Sequence, residues 1–115
     1  MTAIDRAAFA ELEELAGDDK DFLNEILMTY IEQVDVVMGS ARDALAAGDT
    51  VAFIRAVHTL NGSSRNVGAV DVARLCAAIE HDARLDPAAA SHAALRQLVE
   101  PTRLACEAFQ QHLRA

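Results

Sequence analysis

The chain has 115 residues, 52% of them hydrophobic, a formal net charge of −8, two cysteines and no tryptophan. This length suits a single domain, residues 1–115, able to bury roughly two-thirds of its unfolded surface. The acidic balance disfavours nucleic acid and anionic membranes. No apolar run reaches the roughly 18–20 residues of a membrane span. The start, Met-Thr-Ala-Ile-Asp-Arg, also lacks the basic-then-apolar order of a signal peptide, so a cytoplasmic protein is expected.

Apolar spacing predicts helices throughout. The first runs from about Asp5 to Ala16, with Phe9, Leu12 and Leu15 as its apolar edge and Gly17 ending it. Its short stripe suits a helix that covers a bundle. Asp18 is placed to cap the second helix, with Asp21 at N3, acids where the helix dipole favours them. Phe22, Leu23, Ile26, Leu27, Tyr30, Ile31, Val34 and Val37 recur along it at helical spacing. Gly39-Ser40 predicts a kink, after which Ala41, Leu45 and Ala46 carry the helix to Gly48.

Asp49 caps a third helix that ends at Gly68, and a fourth covers about Val70 to Arg84, presenting Val72, Leu75, Cys76 and Ile79. Asp86-Pro87 reads as an N-cap followed by proline at the first helical position. The fifth helix then carries Leu95, Leu98, Val99, Leu104, Phe109 and Leu113, kinked or split at Pro101. No segment alternates with period two. The expected fold is all-α: an antiparallel up-down four-helix bundle with an extra N-terminal covering helix.

The third helix is the unusual one. At about 100° per residue, Phe53, Ala56, Val57, Leu60, Ser64 and Val67 gather on one core-facing stripe. His58 falls about 140° from the centre of that stripe. Gly62 follows one turn later on the same exposed strip, with Arg55 and Arg65 flanking the pair. Asn61-Gly62-Ser63-Ser64 is also turn chemistry, and a glycine within a helix costs about 1 kcal/mol relative to alanine. Ser64 and Val67 nevertheless continue the stripe without a slip, so the helix runs through Gly62 and the glycine needs a reason. Access to His58 supplies one. Residues 1–49 hold 12 acids against 3 Lys/Arg, whereas residues 50–115 hold 6 against 7. Between Val51 and Ala69 the only formal charges are Arg55 and Arg65, so the His58 strip is a positive spot on an acidic chain.

Common catalytic constellations are missing: no phosphate-cradling glycine loop, HExxH, nucleophile elbow or CxxC is present. His58, His81, His92 and His112 share no i, i+4 spacing, which disfavours a metal site. His81, His92 and His112 are read as surface residues. Cys76 and Cys106 sit in apolar helical contexts and read as buried free thiols. The acids from Glu11 to Glu25 lack the order of a calcium loop. His58 remains. An exposed imidazole near neutral pH is partly uncharged and nucleophilic, and can hold a phosphoryl group as a phosphoramidate.

The run Ala-Val-His58-Thr-Leu-Asn-Gly62-Ser63-Ser64-x-x-x-Gly68-Ala69, followed by Leu75-Cys76-x-x-Ile-Glu80, resembles the signature of histidine-containing phosphotransfer (HPt) domains. The stretches Gly17-Asp-Asp-Lys-Asp-Phe22 and Ala-Gly48-Asp49 are similar to that family as well. The resemblance spans about Ile4 to Arg84 and, more loosely, the last helix. It implies an up-down bundle with His58 as phosphoacceptor and Gly62 leaving room for a receiver domain. Phosphoryl groups would pass between His58 and a receiver aspartate in a multistep two-component relay. The partners implied are receiver domains of response regulators or a hybrid histidine kinase. The Mg²⁺ that transfer needs would sit on the receiver, so no cofactor is expected here, and a monomer is expected.

One departure stands out: the family usually has lysine three residues after the histidine, and this chain has Asn61. Asparagine can donate a hydrogen bond to a phosphoryl oxygen but brings no charge. Arg65 or Arg55 is expected to substitute. Glu80 lies where some members place a glutamine near the site, and as an acid it would repel phosphate. Ser64 is expected to bond a helix carbonyl, and Ser63 to be structural. For docking, Ile54 serves either as an apolar contact or as boundary core, and the family's use of the adjoining face of helix 2 points to Thr29 and Gln33. The alternative function is a helical interaction module that has lost phosphotransfer.

Overall fold

Three aspartates and a serine cap four of the six α-helices in a computed structural model that describes residues 4–114. Residue 115 and residues 1–3, the beginning of the segment read above for a leader, lie outside the described part. Asp5 accepts from the Ala7 amide (3.1 Å) and opens α1, Arg6–Ala16. Asp19, not Asp18, accepts from the Phe22 amide (2.9 Å) and opens α2, Lys20–Ala47. Asp49 accepts from the Ala52 amide (3.0 Å) and opens α3, Thr50–Val67. After α4, Val70–Leu85, Asp86 caps only a 3-10 turn, Pro87–Ala89. Ser91 then starts the short α5, His92–Arg96, and α6 covers Val99–Arg114.

The single last helix expected from Asp86 is therefore three pieces. The break comes before Pro101, which falls at the third position of α6. There its missing N–H removes nothing, because first-turn amides have no intrahelical partner. Gly39-Ser40 also does not interrupt α2. Val34, Val37, Met38, Ala41 and Ala44 form one unbroken buried row, and that burial holds the helix through the weak dipeptide. At 28 residues α2 is about 42 Å long, which sets the 46 Å length of the 46 × 21 × 21 Å molecule.

Helices α2, α3, α4 and α6 form a ring, α2 packing on α3 and α6, and α4 on α3 and α6. α1 lies across α2 and α3. The expected bundle with a covering helix is what the chain forms, and no strand occurs among the described residues. The core is filled by Leu27, Phe53, Val57, Leu60, Val72, Leu98 and Phe109. Tyr30 and Phe109 meet edge to face at 5.6 Å. Gly68 ends α3 at φ +80°, and a Cβ there would lie 3.1 Å from the Asp5 carbonyl oxygen and 3.3 Å from Ala8 and Phe9, so it is both a helix stop and the seat of α1.

Several edge assignments shift. Leu15 is 77% exposed and Ala16 is buried in its place, while Val99 and Leu104 of α6 are also exposed. His112 is half-buried against Phe9, ring centroids 5.1 Å apart, and is not a plain surface residue. Cys76 is buried, its thiol pushed up to about 12 by burial, whereas Cys106 is only half-buried; both are free.

Candidate functional site

Every residue of the α3 stripe, Phe53, Ala56, Val57, Leu60, Ser64 and Val67, is buried. That fixes the helix rotation and turns His58 outward, its side chain 66% exposed. Gly62, one turn on, is exposed, and a Cβ built there would meet nothing within 4 Å. Internal packing therefore gives no reason for a glycine in mid-helix. Thr59 bonds back to the Arg55 carbonyl (2.9 Å) and stays on its own helix.

From α4, Glu80 reaches His58: its Oε1 lies 2.8 Å from Nδ1. The Glu80 side chain is only 14% exposed. Burial alone would push its carboxyl up; hydrogen bonds from His58 and Arg84, and their charges, outweigh that and hold it below the usual carboxylate range. An ionised carboxylate only accepts, so Nδ1 carries the proton and donates. The other ring nitrogen, Nε2, is left facing solvent. Arg84 donates to the second Glu80 oxygen from Nε (3.1 Å) and Nη2 (2.9 Å). A carboxylate thus links the histidine to a guanidinium across two helices.

This link was not legible in the sequence. Sequence alone makes Glu80 an acid that would repel phosphate and gives Arg84 no role. The i, i+4 spacing of Glu80 and Arg84 marks them as a pair, but nothing local says that the pair faces His58.

Asn61 is 5% exposed, and its Oδ1 accepts from Arg65 Nε at 3.0 Å, so its oxygen is committed to that arginine. Arg65 and Arg55 are exposed. Ile54 is half-buried and packs against the core. Thr29 and Gln33 lie on the α2 side of α3, in a groove they share with Phe22, Ile26, Ser63 and Asn66. Gln33 accepts from Ser63 (2.9 Å), which also donates to the Thr59 carbonyl (3.1 Å). Ser64 bonds no helix carbonyl; its hydroxyl pairs with that of Tyr30 at 2.8 Å in the core. No cluster of three or more His, Cys, Asp or Glu side chains could hold a metal ion among the described residues, and no described helix is long and apolar enough to cross a membrane.

A two-thirds exposed imidazole has no walls with which to enclose a small substrate. Fold and site define a helical bundle with one exposed histidine paired to a carboxylate of the neighbouring helix. The sequence profile of the Hpt domain family matches residues 25–114. Multistep phosphorelay regulator 1 of Schizosaccharomyces pombe is 30% identical over 79 residues, covering 68% of this chain and 27% of that one. The chain thus spans about a quarter of the length of that curated relative. The crystal structure of histidine-containing phosphotransfer protein B from Pseudomonas aeruginosa PAO1 superposes with a TM-score of 0.88 at 27% identity, over 97% of this chain and 95% of that one. The chain belongs to the Hpt domain family, the phosphotransfer modules of phosphorelays.

Proposed function

We propose that this protein is a phosphocarrier that takes a phosphoryl group onto His58 Nε2 from a receiver-domain aspartate and passes it to another receiver, with no catalytic activity of its own. The observation that carries the reading is the His58–Glu80 hydrogen bond at 2.8 Å, which holds the proton on Nδ1 and leaves Nε2 as the outward nucleophile. The Nε2 lone pair attacks the phosphorus of the aspartyl phosphate. The N–P bond forms, the P–O bond to the aspartate breaks, and its electron pair leaves with the carboxylate. The ring, still protonated at Nδ1, becomes cationic, and the Glu80 carboxylate offsets that charge. Transfer onward reverses these steps on a second aspartate.

Gly62 leaves room for the receiver, which brings the Mg²⁺ such transfer requires. Arg65, held by Asn61, supports the phosphoryl group from α3 with Arg55 on the other flank of His58, while Ile54, Thr29 and Gln33 belong to the docking surface. The test is transfer of ³²P from labelled receivers to the wild type and to His58→Gln. Acid-labile, base-stable label on the wild type and none on His58→Gln is expected. Absence of label on folded wild-type protein with several receivers would instead favour an interaction module that has lost phosphotransfer.

A further inference from the structure

We infer that Asn61 is a positioning residue whose buried carboxamide holds the Arg65 guanidinium over the phosphoryl side of His58, placing this site's phosphate-facing cation on the turn beyond position 61. The inference rests on the proposed function of the same site. Asn61 sits three residues after His58 with its side chain at the core edge, 5% exposed. A carboxamide so placed needs a hydrogen-bond partner, and Arg65 Nε supplies it at 3.0 Å.

Arg65 is seven residues beyond His58, about 20° from it around the helix and roughly 10 Å along the axis. Helical side chains lean toward the N-terminus, so the long Arg65 side chain reaches back over Asn61, one turn nearer the histidine. Its bond to Asn61 shows it held in that direction.

The three guanidiniums near the site are not equivalent. Arg84 commits Nε and Nη2 to Glu80, which offsets its charge. Arg55 makes no side-chain hydrogen bond among the described residues, so binding phosphate would cost it rotamer freedom. Arg65 alone is both oriented and uncompensated. Its one partner is a neutral oxygen, and its two Nη groups make no hydrogen bond among the described residues. A guanidinium presenting both Nη groups matches phosphate oxygens in a bidentate way. A lysine at 61 would have to extend its ammonium out of the same near-buried position and would leave Arg65 without its acceptor.

The test loads His58 chemically with phosphoramidate and follows the phosphohistidine by ³¹P NMR against pH, in the wild type, Arg65→Ala, Asn61→Ala and the double variant. A cation at the phosphoryl group favours its dianion and lowers the pH at which it forms, so Arg65→Ala is expected to titrate about 1 unit above the wild type. Asn61→Ala is expected to shift most of the way, and the double variant to match Arg65→Ala, because both remove one interaction. A role confined to helix stability would not move this titration. Identical titration in the wild type and Arg65→Ala overturns the inference, as do independent, additive shifts. Arg65→Ala alters an exposed side chain and keeps the test decisive should Asn61→Ala fold poorly. Protein that takes label from phosphoramidate but from no receiver refutes the proposed function, while the titration still decides the role of Asn61.

Discussion

Gly62 separates two things that usually change together, the stability of a helix and access to its surface. It lies inside α3 with open space around its missing Cβ. Gly62→Ala should therefore gain helix propensity without a clash, about 0.8–1 kcal/mol. For 115 residues, an unfolding entropy near 2.1 cal/mol/K per residue converts this to a rise of about 4 °C in Tm. Gly39→Ala in α2, also surrounded by open space, should rise similarly and serves as a control on a different helix from His58. Gly68→Ala should fall, since its φ of +80° and the 3.1 Å approach to the Asp5 carbonyl leave a Cβ no place; a loss of about 1–3 kcal/mol is expected. Gly62→Gln fills the strip beside His58 with a flexible chain that helices tolerate, so it should fold at least as well as the wild type and yet receive phosphoryl from a receiver at least 10-fold more slowly. The assays are calorimetry and single-turnover transfer on the same preparations. A destabilised Gly62→Ala would refute the open helical surface deduced here. Undiminished transfer to Gly62→Gln would refute the idea that the glycine keeps space for a partner.

Tyr30→Phe keeps the ring packed on Phe109 but removes the 2.8 Å bond to Ser64, both residues being buried. A loss of about 1–2 kcal/mol by denaturant titration is expected, at the low end if the Ser64 hydroxyl turns back to its own helix. Glu80 bears on pH dependence. Its native carboxyl lies below the ordinary value of 4.5, so its contribution is present above that value and is lost as pH falls through the lower native value. The stability gap between wild type and Glu80→Gln should thus be about 0.5–1 kcal/mol at neutral pH and close on acidification. A gap that widens below pH 4 would contradict the assignment.

Much of the fold follows from local rules. Asp5, Asp49 and Ser91 cap helices because their side-chain oxygens satisfy first-turn amides; of these only Asp49 is assigned as a cap from the sequence, which makes Asp5 the first residue of its helix. Cap identity failed by one residue at Asp18 and Asp19, because adjacent aspartates offer the same chemistry and the chain's path from α1 chooses between them. The amphipathic stripe of α1 misplaced Leu15 for a similar reason. Its rotation is set by where α1 rests on α2 and α3, and there Ala16 faces inward.

At the site the division is sharper. Residue spacing alone places His58 and Gly62 on one exposed strip, because 100° per residue fixes which side chains of one helix face together and the α3 stripe is unbroken. The packing of α4 on α3 is what brings Glu80, 22 residues away, to the Nδ1 side of that histidine, with Arg84 behind it. Packing of the bundle also buries Asn61 at the helix edge, where Arg65 engages it. Helical periodicity sets the direction of a side chain within its own element. Which side chain it meets depends on the register and rotation of neighbouring helices, and those come from packing the whole core at once.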